Sequence, residues 1–328
     1  MDVRSRLLHF FPVPPFLLMP AASLSVSDEA VRFIELQKGR TTTVVKEHAE
    51  RQLSPETVTS GDIQDTSELL STFKEVAELH GNRYVTLSLP EEKGYIYTTH
   101  VPGAEGPVTE EQVAFTLEKN VPFAVNEVVF DFVETGEGSE DGKEVVVMVM
   151  PTAIVEKYIN VIKDAGLFPI SFEVESRALA RAVVNKDDPR THLLVHIQKN
   201  VTNISVISRN IPRFTSTVHT GSDSLAADSG SSSGLWLKEE VERVRSYWHS
   251  HGSQNTGAPQ TVILCGEGVE EGIEKDVLTS QLDIEVVVAN VWENVASFDE
   301  YVPDIPKSES LRFGVVIGLA LKELERRF

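Results

Sequence analysis

The stretch LSVSDEAVRFIEL, Leu24 to Leu36, reads as strand, tight polar turn, strand, and closes in an apolar run that ends at Glu35 and Leu36. The alternation from Ala30 to Leu36 fits a half-buried strand, and Ser27, Asp28 and Glu29 supply turn chemistry. In one large class of nucleotide-binding folds, a hairpin of this shape carries an Asp and a Gly that manage phosphates. Here the two places are held by Ser25 and Ser27, followed by the acidic pair Asp28 and Glu29. The same strand–turn–strand rhythm returns at residues 193–208, and a third apolar strand leads into Gly266-Glu267-Gly268.

The bulk numbers fit that scale. The chain has 328 residues, 41% hydrophobic and 24% charged, enough for two domains or one large α/β unit with insertions. Fifty acidic against thirty basic residues give a net charge of −20, which argues against free nucleic acid as a partner. The single cysteine, Cys265, cannot form an internal disulfide and fits a reducing compartment; no Cys/His spacing suggests a metal site. Near the N-terminus, LLHFFPVPPFLLMPAAS follows Arg4 and Arg6. Pro12, Pro14, Pro15 and Pro20 interrupt any apolar helix, so the segment reads as an extended lead-in to the first strand rather than a signal or a span.

Along the chain, strand patterns fall at Ala30–Leu36, Tyr84–Leu89, Tyr95–Val101, Val128–Val133, Val145–Met150, Leu193–Ile197, Ile204–Ser208, Val262–Cys265 and Glu285–Val288. Helical periodicity falls at Ser67–His80, Thr109–Asn120, Ala153–Ala165, Glu175–Val183, Leu235–His249 and Leu311–Arg326. Thr109 with Gln112 forms a capping box, and Gly166 is a helix stop. Gly136–Gly142 reads as a hairpin loop, and Gly221–Gly234 has no core signal.

Longer segments resemble a known family. SLPEEKGYIYTTHVP (Ser88–Pro102) and EEQVAFTLEKNVPFAVNEVVFDF (Glu110–Phe132) are similar to the start, helix and following strand of an inserted SHS2-type subdomain. IVEKYINVIKDAGLFPISFEVESRALARAVV (Ile154–Val184) resembles a helix, an AGL turn and the helix after it. VILCGEGVEEGIEKDV, VANVWENV and RFGVVIGLALKEL resemble a Gly-rich adenosine turn and the closing segments. In order and spacing these resemble PilM, the cytoplasmic actin-like component of type IV pilus assembly. The resemblance implies an α/β, actin-like (RNase H-like) two-domain fold. Its expected parts are a first half of residues 21–93 plus 168–190, an insert at 94–167, and a second half at 191–328.

The departures bear on function. Against the family pattern, the Mg-associated Asp corresponds to Ser25 and the hairpin Gly to Ser27; in the second hairpin, LLVHIQKNVTNISVI, they correspond to His196 and Gln198. Such a Gly lets backbone amides approach phosphate, and Asp28 and Glu29 put carboxylates on the phosphate path instead. Lys199 reads as a solvated hairpin-tip charge. The outer subdomain of the second half is cut to GSDSLAADSGSSSG. Ser25, Ser27, Asp28, Glu29, His196, Gln198, Lys199, Gly266, Glu267 and Gly268 are therefore expected to form a degenerate nucleotide cleft, with no catalytic residue, no metal and no resident cofactor.

The resemblance implies a scaffold that docks a short segment of an inner-membrane protein, PilN, and associates with that membrane through it. The groove is expected near Tyr84–Leu89 and Ala153–Phe172, with self-association left open. One alternative is an ATP-binding ATPase or switch, with Mg-ATP, in which Gln198, Lys199 and Asn200 compensate for the absent groups. Another is a cell-division protein of the FtsA type, disfavoured because ELERRF lacks a membrane-binding tail. A sugar kinase lacks its phosphate glycines and acid, and no P-loop motif is present. His196 reads as a core histidine, His249 and His251 as a helix end, Glu175 as a helix-start residue suited to the dipole, and Gly314/Gly318 as close packing of a helix on a sheet.

Overall fold

The computed structural model describes residues 21–39, 42–81, 83–103, 106–139, 142–223, 235–252, 256–269 and 278–326. The expectations for residues 1–20 and for most of Gly221–Gly234 lie outside them. The chain runs β1 (Ala21–Val26), β2 (Ala30–Lys38), β3 (Thr43–Gln52), the short ladder β4 (Val58–Thr59) with β5 (Asp62–Ile63), α1 (Thr66–His80), β6 (Tyr84–Leu89), β7 (Tyr95–Val101) and α2 (Glu110–Asn120). It continues with β8 (Val128–Ser139), β9 (Gly142–Pro151), α3 (Thr152–Asp164), β10 (Phe168–Val174), α4 (Glu175–Val183), β11 (Thr191–Ile197), β12 (Thr202–Ser208) and β13 (Ile211–Val218). α5 (Leu235–His251), β14 (Thr261–Gly266), β15 (Glu285–Val288), a one-turn helix at Lys307–Ser310 running into the 3-10 turn Leu311–Phe313, and α6 (Gly314–Arg326) follow.

Two five-stranded sheets follow one plan. In each, the first three strands form an antiparallel meander and two later strands add in parallel beside the first strand. The orders are β10-β6-β1-β2-β3 and β15-β14-β11-β12-β13. The echo between residues 24–36 and 193–208 is this repetition. A third sheet, β7-β9-β8, arises between β6 and β10.

Local chemistry explains the ends of the elements. Asp65 caps α1 by accepting from the Ser67 and Glu68 amides, and Gly81 closes it in the left-handed region at φ 62°. The Thr109/Gln112 capping box is made in both directions. After α3, Gly166 takes φ 79°, and the Leu167 amide donates to the Ile162 carbonyl.

The core divides by sheet. α1 and α3 cover the first sheet, burying Phe33, Leu69, Phe73, Tyr158 and Ile162. Full burial of each apolar side chain of this size contributes about 2–3 kcal/mol. The second sheet, α4, α5 and α6 share the largest apolar cluster, which also takes in Ile34 and Leu36 of β2. Strand β9 faces two ways: Val145, Val147 and Val149 pack on α2, whereas Val146, Met148 and Met150 face Leu89, Val155 and Val174.

Four readings of the sequence change. β3 was not visible as a strand, because TVVKEHAERQ is a polar edge strand with charges on both faces. β10 and β13 were also missed; each is an edge strand with a proline at its second residue and an irregular register that breaks the alternation. Gly136–Gly142 is not simply a loop, since β8 runs to Ser139 with a register shift between Glu134 and Gly138. The helix carrying Gly314 and Gly318 packs on β1, β2 and β6 as read, but the glycines themselves face α4: a Cβ on Gly318 would lie 1.7 Å from the Ala178 carbonyl oxygen.

Candidate functional site

The two matching hairpins and the turn after β14 meet between the two sheets, joined by the pairs Glu29–Lys199 and Arg32–Glu267. Within the first hairpin, Ser27 serves its own turn: its amide donates to the Ala30 carbonyl at 3.0 Å and its hydroxyl accepts from the Ala30 amide at 3.2 Å. Ser25 is buried on β1 across from Arg32 of β2. Asp28 turns toward the β4–β5 ladder and accepts from the Ser60 and Gly61 amides at 2.9 and 3.2 Å. Among the expected residues of the first hairpin, Glu29 is the one that reaches across: its carboxylate stands 3.2 Å from Lys199 Nζ. Lys199 is therefore paired rather than a free tip charge, and Glu29 raises its pKa.

Arg32 occupies the centre. Its Nε donates to Glu50 at 2.7 Å and its Nη2 pairs with Glu267, while Arg312 approaches Glu50 from the far side at 3.6 Å. Glu267 also neighbours Glu29. That contact, with Lys199, holds Glu29 below the usual carboxylate range, while burial pushes Glu267 up to about 7. Gly266 takes φ 107°, and a Cβ there would lie 2.2 Å from the Ile197 carbonyl oxygen, so its glycine is required by backbone approach. Gly268 lies in the single 3-10 turn Glu267–Val269.

Beneath these contacts lies a cluster of buried acids. Glu175, the first residue of α4, is buried and accepts from Gln198 Nε2 at 2.9 Å; His196 Nδ1 stands 3.8 Å from the same carboxyl. Glu175 is thus part of this cluster rather than only a helix-start acid. Burial and the neighbouring Glu92 and Glu91 push its pKa well up. Glu91 accepts from the Ser176 amide and hydroxyl and from Thr215 of β13, and so joins the two sheets. Burial, with Asp28 and Glu91 nearby, raises Glu92 to about 7. His196 is largely buried beside these acids, with Gln198 Nε2 3.4 Å from its Nδ1; burial and Arg32 lower it to about 4, leaving it neutral. Arg32, Glu50, Glu91, Glu92, Glu175 and Arg312 escaped the sequence reading as site residues. Of these, Arg32 carried a local signal, a charge inside the apolar run AVRFIEL.

A second concavity, of about 320 Å³, lies where the three-stranded sheet meets the first sheet. Leu89, Val129, Met148, Met150, Val155 and Phe172 give it apolar walls, and Arg177 and Lys322 stand at one side. Leu89, Val155 and Phe172 fall in the stretches expected to form a groove; the β8 and β9 residues were not anticipated. Beside the Gly266 turn, a third pocket of about 550 Å³ is lined by Val269, Val288, Val291, Trp292, Phe298 and Leu311.

The duplicated sheet plan, with paired hairpins meeting between the sheets, defines an actin-like two-domain protein. A solved structure described as "PilM-PilN type IV pilus biogenesis complex" is similar with a TM-score of 0.76 and 21% identity, covering 93% of this chain and 98% of that one. The ethanolamine utilization protein EutJ from Carboxydothermus hydrogenoformans is similar with a TM-score of 0.52 and 14% identity, covering 94% and 91%. No curated protein matches the sequence. The profile of the family described as "Type IV pilus assembly protein PilM" matches residues 23–230, more than half of the chain. The chain belongs to that family.

Proposed function

We propose that this protein is a scaffold of type IV pilus assembly that docks a short extended segment of a PilN-like inner-membrane protein in the groove between β9 and β10. The observation that carries the reading is the groove itself: an apolar slot of about 320 Å³ bordered by two edge strands, β8 and β10. Edge strands offer main-chain pairing to an extended segment, and the flanking apolar walls take alternate side chains. Its place at the inner membrane follows from the partner. Among the described residues, no helix is long and apolar enough to cross a membrane. The test is fluorescence anisotropy with a labelled peptide of the cytoplasmic N-terminal segment of the same organism's PilN. Val129, exposed on β8 in the groove wall, is the residue to change. Val129→Arg is expected to weaken binding at least about tenfold, a loss of about 1.4 kcal/mol; unchanged affinity overturns the reading.

Docking without ATP hydrolysis is the companion proposal. Arg32 and Lys199 are already engaged by Glu267, Glu50 and Glu29, so neither cation is free for a triphosphate. The carboxylates of Glu29 and Glu267 meet an incoming phosphate with like charge, which costs about 4 kcal/mol at ~4 Å and intermediate dielectric. These residues do not fit Mg-ATP. One observation favours the alternative of a nucleotide-responsive switch: the pocket of about 550 Å³ beside the Gly266 turn, at the carboxyl ends of the parallel strands β14 and β15. Calorimetry separates the two, since micromolar Mg-ATP binding supports the switch and absence of heat at millimolar nucleotide supports the scaffold.

A further inference from the structure

Arg213 on β13 is the largest fully buried side chain among the described residues. Its guanidinium donates to the carboxylate of Glu144 on β9, and both side chains are 0% exposed. Other groups fix the pair in place. Thr135 donates to the same Glu144 oxygen at 3.0 Å, and Thr98 of β7 donates to the Arg213 carbonyl oxygen at 3.0 Å. Glu137 stands 4.0 Å from Arg213 and pairs with Arg209 at 3.0 Å, and His100 stands 3.9 Å from Glu144. The contact joins the edge strand of the second sheet to the three-stranded sheet.

Strand β9 links this pair to the docking groove. Period-two alternation puts Glu144, Val146, Met148 and Met150 on one face, with Met148 about 13 Å along the strand from Glu144. Met148 and Met150 line the groove, and Ile211 of β13 packs against the same apolar cluster as Leu89, Met148 and Val174. The geometry points to Arg213–Glu144 as the positioning pair that fixes β9 against the second sheet and thereby sets the width of the groove. This rests on the docking reading above. A buried ion pair adds little net stability over an apolar pair, but one guanidinium–carboxylate geometry fits one register. The second sheet thus biases what the groove accepts, and an occupied groove biases how the second sheet is held.

The test uses the full chain and two measurements. In Arg213→Met/Glu144→Met the charges leave together, so no lone buried charge remains, and flexible methionines specify the register poorly. The labelled PilN peptide is expected to bind this variant about 3- to 30-fold more weakly. Amide exchange at Val146–Met150 is expected to quicken with no peptide present, a reading independent of docking. Wild-type affinity with wild-type exchange overturns the proposal. A peptide that binds neither protein defeats the docking reading and this inference with it, whereas a Val129→Arg loss without an Arg213/Glu144 effect defeats this inference alone. Should the double variant not fold, Thr98→Val, which removes the bond to the Arg213 backbone, is put through the same two measurements.

Discussion

Lys199 Nζ stands 3.2 Å from Glu29 Oε1, so the tips of the β1–β2 and β11–β12 hairpins are joined by an ion pair. Arg32 adds a more buried link from β2 to Glu267 after β14, with its side chain only 5% exposed. Both pairs cross between the sheets, and their burial makes their worth unequal.

Lys199→Ala is expected to cost less than about 1 kcal/mol, because the pair is open to solvent and screened. Arg32→Ala leaves Glu267 without its cation in a confined place, and Glu50 with Arg312 alone, and is expected to cost about 3 kcal/mol or more. Urea denaturation of both variants decides the point; equal losses contradict this ranking.

Glu92 gives a pH signature. Its carboxyl is held at about 7 in the folded state against an ordinary 4.5. The folded chain therefore binds the extra proton between those values, and stability drains away as pH rises through them. His196, lowered to about 4, works in the opposite sense up to its ordinary 6.5, and Glu91, Glu175 and Glu267 are raised as well, so wild-type stability alone mixes them. The difference between wild type and Glu92→Gln isolates the carboxyl. The variant is expected to match wild type near pH 5 and to exceed it by on the order of 2 kcal/mol at pH 8. A gap that shrinks as pH rises contradicts the assignment.

Gly318→Ala tests the α4–α6 contact. The added Cβ would lie 1.7 Å from the Ala178 carbonyl oxygen, a backbone atom that cannot rotate away. A loss of about 2–3 kcal/mol is expected, where Ala normally improves a helix interior. A neutral or stabilising result shows that the helices are not in this contact.

Cys265 is buried beside the Leu311 carbonyl, and burial pushes its thiol up to about 12. The native protein is expected to resist a disulfide-exchange reagent at pH 8 and to react promptly in denaturant. Rapid labelling of native protein contradicts the burial of Cys265 against the Leu311–Phe313 turn.

Much of the fold was legible because β2, β6, β11 and β14 carry apolar runs of strand length, and because caps such as Thr109/Gln112 and Gly166 declare helix ends. β3 was hidden by the charges of an edge strand, and β10 and β13 by an early proline. In the first hairpin the turn itself was legible, but Ser25, Ser27 and Asp28 serve their own strand, turn and the β4–β5 ladder, and Glu29 is the residue that reaches the second hairpin. The acids beneath were not legible: Glu91 and Glu175 gain their character from Thr215 and Gln198, which lie 124 and 23 residues away in sequence. No local pattern announces a carboxyl that is buried by a distant strand.

Hydrogen exchange, recorded once with the PilN peptide and once with Mg-ATP, tests the central claim most directly. The peptide is expected to slow exchange at Leu89, at Met148–Met150 and at Phe172–Val174, and Mg-ATP to leave residues 24–29 and 196–202 unchanged. Protection of those hairpins by Mg-ATP, with no protection of the groove by the peptide, would contradict it.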